Sequence, residues 1–465
     1  MTFARFAQRI DGLNYLAEQM ELSGSRVRRY LMQIPFCDKA EVLEKHFDIL
    51  QKAYEIHSLP ENEPALMQLR HLFTTVHDIK GTLEALKQKQ VLDEIELFEL
   101  KYFASLCRDF RLLCKRIDFM SQAPMCLQHV FDWLDPDKTG TSGFYMYDSY
   151  SPSLAQARKA VLATDPEKEP ESWNRATDLV QQEEWSVRKT LSEELSKRYE
   201  VLQNNFDQLA RLEIWLAKAA LAVKYGMVRP QVAPVLSIEG MVNPMIADIL
   251  VKSKGTFQPV SVTLHQGPCL LTGANMSGKT VVLKTLALIQ ALTQFSFFVP
   301  ARTAQIPLVK DVFLVVGDKQ DYYKGLSSFA AEMLALDRIM DKIKKGNRFF
   351  VLVDEPARTT NPYEGTAILC ALLAFMEQYR VMSLISTHYG ELNTAVRKLR
   401  VVGFEGEKAV GRIDPTSINQ YMNYSLVEDK RTSVPKEALQ IARLLGVDDS
   451  FIKRAQEFLK KNNHE

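Results

Sequence analysis

The 465-residue sequence has almost no charge imbalance: 58 Lys and Arg stand against 57 Asp and Glu, a formal net charge of +1. That balance offers no global attraction to nucleic acid, which usually leaves a basic surface. Arg26-Val-Arg28-Arg29 and Lys342-Ile-Lys344-Lys345 leave room for a local basic patch, although such clusters are usually solvated faces. The six cysteines (Cys37, Cys107, Cys114, Cys126, Cys269 and Cys370) lack any C-x-x-C spacing. With no secretory leader either, this usage fits a reduced cytoplasm. The eight histidines are scattered without metal-ligand spacing. No apolar run is long enough to span a bilayer; the nearest, after Thr280, is interrupted by Lys284, Gln290 and Gln294. Asp135-Pro-Asp137-Lys-Thr139-Gly140 opens like a calcium loop, but Met146 stands where a bidentate Glu is required. What remains is a chain of a length that suits two or three domains.

Against these absences stand two short segments. Gly273-Ala274-Asn275-Met276-Ser277-Gly278-Lys279-Thr280 fits the phosphate-loop pattern G-x-x-x-x-G-K-[ST]. The apolar Cys269-Leu270-Leu271 before it reads as a buried strand, and Thr280 begins a helix. Glycines let successive N–H groups turn toward phosphate oxygens, and the positive end of the helix faces the same anion. In this pattern Lys279 reaches the β- and γ-phosphates and the Thr280 hydroxyl holds Mg²⁺, so ATP with Mg²⁺ is the expected ligand. The second segment, Phe349-Phe-Val-Leu-Val-Asp354-Glu355, reads as a strand buried on both faces, as in a parallel sheet. It delivers Asp354, a second Mg²⁺ anchor, and Glu355, a general base, to the edge where ligands bind in open α/β sheets. A further strand, Arg380 to His388, ends in Thr387-His388, and His388 is expected beside the terminal phosphate.

At this point the residues resemble the MutS family of ATPases. Thr272 to Lys279 is similar to its T-G-P-N-M-G-G-K loop, and Phe298-Val-Pro-Ala301 to its Y-V-P-A. Val312 to Gly317 is similar to I-F-T-R-V-G, and Gly325-Leu-Ser327-Ser328-Phe-Ala-Ala-Glu332-Met333 to G-R-S-T-F-M-V-E-M. Asp354 to Gly365 resembles D-E-I-G-R-G-T-S-T-Y-D-G, and Thr387 to Leu392 resembles T-H-Y-F-E-L. The motifs keep family order over roughly residues 238–455. The resemblance implies a dimer in which each site is completed by the other subunit, with Ser327 and Ser328 reaching across to the partner's ATP. The bland reading of the same serines is a helix N-cap. It also implies that two amphipathic helices within 435–460 form a terminal helix-turn-helix for dimerisation. Departures are confined: Ala274 and Ser277 replace Pro and Gly in the loop, and Pro356, Ala357 and Thr359 replace I, G and G after Glu355. Val242-Asn243-Pro244 stands where the family has R-H-P, so nucleobase contacts are not carried over.

The rest of the chain reads as helical. Phe3, Phe6, Ile10 and Leu13 recur at helical spacing, as do Leu43, Phe47, Leu50 and Tyr54. Phe144 to Asp148 is expected as a short strand, Ser151-Pro152 as a helix start, and Asp165 to Ser172 as an exposed linker. Leu191 to Leu216 predicts one long helix over 185–223, roughly 50 Å at about 1.5 Å per residue. The expected organisation is a helical region 1–126, a core and lever region 127–228, and an α/β phosphate-loop ATPase domain 229–465. The one Phe-x-Glu, Phe375-Met-Glu377, falls inside the ATPase domain, so no mismatch-reading wedge is apparent, and the acidic stretch 151–185 is short for a DNA clamp. Two readings follow. One is a homodimeric or MutS-like heterodimeric switch acting on a protein client, an adenosylcobalamin-dependent aminomutase whose cofactor it helps to exchange. The stretch from Leu134 to Leu154 and the Asp-Glu-Pro-Ala-Arg-Thr-Thr-Asn-Pro variant look more like that branch. The alternative is action on mismatched or branched DNA.

Overall fold

The apolar run before Asp354 forms strand β7 (Phe349–Asp354), whose residues 350–353 are fully buried. It is flanked by two parallel neighbours, β6 (Asp311–Val316) and β8 (Met382–Thr387). β8 pairs in parallel with β4 (Pro268–Thr272), and β4 with β9 (Arg397–Phe404). The edge strand β10 (Met422–Glu428) is antiparallel, giving the order β10-β9-β4-β8-β7-β6. On one face, Leu336 and Ile339 of helix Ser328–Lys344 and Leu369, Leu373 and Met376 of helix Pro362–Gln378 pack on Val351, Val353 and Ile385. Phe350 and Leu352 alternate to the other face, and helix Lys279–Gln294 packs against β6, β7 and β8. A smaller sheet has the order β1 (Gln231–Val232), β5 (Thr303–Ile306), β2 (Leu236–Met241) and β3 (Val260–Leu264). The computed structural model describes residues 1–274, 277–316, 328–346, 348–389, 392, 394–405, 420–429, 439, 442–443 and 445–461.

Two of the polar residues that interrupt the run after Thr280, Gln290 and Gln294, are buried and bonded. Gln290 donates to the Gln294 side chain (2.7 Å) and to the Pro307 carbonyl (2.8 Å). Gln294 donates to the carbonyls of Cys37 and Val309 and accepts from the Val309 amide. Buried side-chain amides bonded to distant backbone hold a helix in one register, which is their role in this helix. Among the described residues, no helix is long and apolar enough to cross a membrane.

The chain divides into two compact units, each assembled from segments that are apart in the chain. Residues 1–20, 32–51 and 220–465 form one unit, and 21–31 and 52–219 the other. The first segments join the sheet-bearing unit because aromatic residues close on one another: Phe6 stacks on Phe36 at 4.3 Å, and Phe3, Phe6 and Phe36 all meet Phe295 edge-on. Periodicity within a segment carries no information about which distant segment completes its core.

The other unit is helical. Helix Glu94–Arg116 starts at a reciprocal cap, where Asp93 accepts from the Glu96 amide (2.8 Å) and Glu96 from the Asp93 amide (2.9 Å). Helix Pro152–Ala163 starts at Ser151, as its sequence predicts. Three expectations need correction. Residues 144–147 form no strand; with no partner to pair with, Met146 packs into a cluster with Leu154 and Val187. The linker is shorter than expected, because helix Pro170–Ser196 begins inside it. The single long helix over 185–223 is two, Pro170–Ser196 and Tyr199–Lys224. Near the break, Thr190 and Ser192 donate to carbonyls four residues back, and Ser196 donates to the Leu86 carbonyl. Hydroxyls that compete for backbone partners favour a helix end there, a signal that leucine spacing does not contain.

The calcium-like loop is instead organised around a buried ion pair. Lys101, fully buried, donates to Asp135 (3.1 Å) and to the Gly143 carbonyl (2.8 Å). Asp135 also accepts from Thr139 (2.6 Å) and the Gly140 amide (2.8 Å). Burial alone raises a carboxylate pKa, but these donors and the ammonium outweigh it and bring Asp135 down to about 2. Its stabilising contribution is therefore present above the unfolded carboxylate pKa and is lost as pH falls through about 2. Lys101→Ala leaves the Asp135 charge buried without its cation. Denaturant unfolding is expected to show a loss of about 3–5 kcal/mol; a loss below about 1 kcal/mol would mean that the loop holds without the pair.

Candidate active site

Three parallel strands deliver the site to one sheet edge. β4 runs into the glycine loop, β7 ends in Asp354 and β8 ends in Thr387. β8 lies between β4 and β7, so the loop and Asp354 face each other across one strand. Gly278 enters helix Lys279–Gln294 with φ +85°, a left-handed conformation that favours glycine, and a Cβ there would sit 3.0 Å from the Tyr424 ring.

The side chains predicted from sequence converge. Thr280 donates to Asp354 Oδ2 at 2.6 Å. Lys279, almost fully buried, donates to the carbonyls of Gly273 (2.9 Å) and Ala274 (3.0 Å) and lies 3.3 Å from Glu355 Oε1. His388 Nδ1 is 3.5 Å from Glu355 Oε2. Asn275, Met276 and Ser327 lie outside the described residues; Ser328 is the first residue of its helix.

Three contributors were not singled out from the sequence. Ser386 donates to Asp354 Oδ1 (2.5 Å) and accepts from the Glu355 amide (2.9 Å), so β8 fixes both carboxylate residues. Arg358 lies 3.6 Å from Glu355 Oε2. A cavity of about 500 Å³ opens beside Gly278 and Val281, lined by Leu250, Phe257, Val260 and Tyr424. Gln258 accepts from the Tyr424 amide (3.0 Å) and donates to Asn423 and Ser425, which pins this stretch of β10. An aromatic residue just after the Gly255 turn is the signal by which sequence reading would have found Phe257. Asn243, where an R-H-P motif would place its histidine, is buried and committed: it caps helix Pro244–Lys252 and donates to Thr285.

The donor set fits ATP and Mg²⁺. Thr280 and Asp354 offer adjacent hard oxygens, and Mg²⁺ typically takes one or two protein oxygens along with phosphates and water. Ser277 Oγ and His388 Nδ1 are buried polar atoms without a hydrogen-bond partner among the described residues, one in the loop and one opposite it. Buried polar atoms normally have partners, and a phosphate oxygen is one that both can use.

A parallel sheet with a glycine loop between strand and helix, and an Asp-Glu pair at the same edge, defines the class: the phosphate-loop NTPase fold. Within that class, residues 269–463 match the family model described as MutS domain V. Curated relatives include the DNA mismatch repair protein MutS of Thermus thermophilus, 29% identical over 300 residues (63% of this chain, 36% of that protein). Endonuclease MutS2 of Carboxydothermus hydrogenoformans is 28% identical over 327 residues (68% of this chain, 40% of that protein). The chain spans well under half the length of these relatives.

Proposed function

We propose that this chain is a MutS-type ATPase that binds ATP with Mg²⁺, hydrolyses it, and uses the cycle to act on a macromolecular partner. The observation that carries this reading is the convergence of Lys279, Thr280, Asp354 and Glu355 at one sheet edge. Thr280 and Asp354 would hold Mg²⁺, whose charge when bound offsets that of the phosphate oxygens. Lys279 and the loop from Gly273 to Gly278 would hold the phosphates. Glu355 would take the proton of the attacking water, with His388 beside it. The Phe257 and Tyr424 cavity has the size and apolar lining for a nucleobase. In a homodimer or MutS-like heterodimer, Ser327 and Ser328 would complete the partner's site. The helices within 435–460 would help to form that dimer: Asp449–Lys461 is helical, and most of the expected preceding helix lies outside the described residues.

The client we propose is a protein, a cobalamin-dependent aminomutase in the cytoplasm. Support comes from the resemblance of the segments around Leu134 and Asp354 and from the near-neutral charge. The relatives, a DNA mismatch repair protein and an endonuclease, support a second reading, action on mismatched or branched DNA. Steady-state ATP hydrolysis by the full chain separates them: alone, with such DNA, and with an inactivated aminomutase. Stimulation by the aminomutase with recovery of its activity is the expected result. Stimulation by DNA with salt-sensitive binding would move the protein to the repair class. No hydrolysis under any condition would overturn the ATPase reading.

A further inference from the structure

The chain leaves β7 through a turn that side-chain-bearing residues seldom adopt. Glu355 has φ +46° and Ala357 φ +59°. Such left-handed conformations are unfavourable without glycine or asparagine, and persist where the surroundings impose them. Here both polar groups of the fully buried Ala357 are committed. Its amide donates to the two carboxylate oxygens of Glu332, at 3.2 and 3.3 Å. Its carbonyl accepts from the Tyr389 hydroxyl and from the Thr360 amide, each at 3.2 Å. Glu332 lies on the second turn of helix Ser328–Lys344, and Tyr389 follows His388 directly. The space for Tyr389 is kept by Gly365, where a Cβ would stand 2.1 Å from the hydroxyl oxygen.

We propose that Glu332 is a positioning residue: through the Ala357 amide it holds the turn that aims the Glu355 carboxylate at Lys279 and His388. The proposal rests on the reading of Glu355 as general base. It also gives the helix that begins at Ser328 a mechanical hold on that base, two residues from where the carboxylate leaves the backbone. Loss of the hold lets the Ala357 turn relax and moves Glu355 while the phosphate loop and the Thr280–Asp354 pair stay in place. Misplacement of a catalytic group by about 1 Å costs up to about a hundredfold in rate. The effect therefore falls on kcat and not on ATP affinity. An amide oxygen accepts from the Ala357 N–H as a carboxylate oxygen does, so glutamine preserves the hold and alanine does not.

The test uses the full chain with MgATP and measures both kcat and the ATP dissociation constant for Glu332→Ala, Glu332→Gln, Tyr389→Phe and Glu355→Gln. Glu332→Ala is expected to lower kcat by about tenfold to a hundredfold, with affinity within about twofold of the parent. Glu332→Gln is expected to stay within about threefold. Tyr389→Phe, which removes the side-chain bond to the Ala357 carbonyl and leaves that from the Thr360 amide, is expected to lower kcat in the same selective way, and it carries the test if Glu332→Ala does not fold. Parent-like kcat in Glu332→Ala, a parallel loss of affinity and rate, or equal damage by Ala and Gln would each overturn the proposal. Glu355→Gln keeps its failure separate: if that variant is inactive while Glu332→Ala and Tyr389→Phe turn over normally, the base reading stands and the positioning role falls. If Glu355→Gln turns over normally, the base reading itself falls and the positioning role with it.

Discussion

Lys279→Ala is expected to abolish ATP binding. The ammonium is almost fully buried, on two loop carbonyls and beside Glu355. It is the cation of the loop, and its removal leaves Asp354 and Glu355 facing incoming phosphates without that compensation. Hydrogen bonds to charged groups contribute about 1.5–3 kcal/mol each, and every 1.4 kcal/mol is about tenfold in affinity. Loss of the two phosphate contacts proposed for Lys279 therefore predicts a dissociation constant raised at least about a hundredfold. Calorimetric titration with MgATP checks this, with unfolding temperature as the control for intact structure. Parent-like affinity would remove the glycine loop as the phosphate site.

Glu355→Gln is expected to stop turnover and keep ATP. Glutamine has the size of glutamate, and the bonds of the Glu355 amide to Ser386 are made by the backbone and survive the change. Thr280 and Asp354 are untouched, and Lys279 keeps its bonds to the Gly273 and Ala274 carbonyls while losing the charge of Glu355, so affinity should stay within a few-fold. What disappears is the carboxylate proposed to accept the proton, a contribution of about 10²–10⁴-fold in rate. Single-turnover hydrolysis measures the chemical step directly, and native mass measurement with ATP shows whether a stalled dimer accumulates. Hydrolysis at the parent rate would rule out Glu355 as the base.

The site was more legible in the sequence than the surrounding architecture. A phosphate loop is contiguous, and its chemistry depends on backbone amides and a helix end that local residues create. β4 and β7 could be read for a similar reason, since strands buried on both faces are near-continuous apolar runs. The break between Ser196 and Tyr199 was not legible, because it involves hydroxyl partners such as the Leu86 carbonyl, more than a hundred residues away in the chain. Nor was the fate of residues 144–147: their composition suits a strand, but a strand also needs a neighbour.

The sequence by itself determined the phosphate loop, the apolar strands that carry Asp354 and His388, and the helical character of the first 125 residues. Each of these follows from local spacing and side-chain chemistry. Only the tertiary structure decided that Phe3, Phe6 and Phe36 complete the core around Phe295, that Ser386 fixes Asp354, that Phe257 and Tyr424 line one cavity, and that Glu332 holds Ala357. These are meetings between residues far apart in the chain. Their hydrogen bonds and packing depend on how strands and helices are ordered around the sheet, which no local pattern encodes.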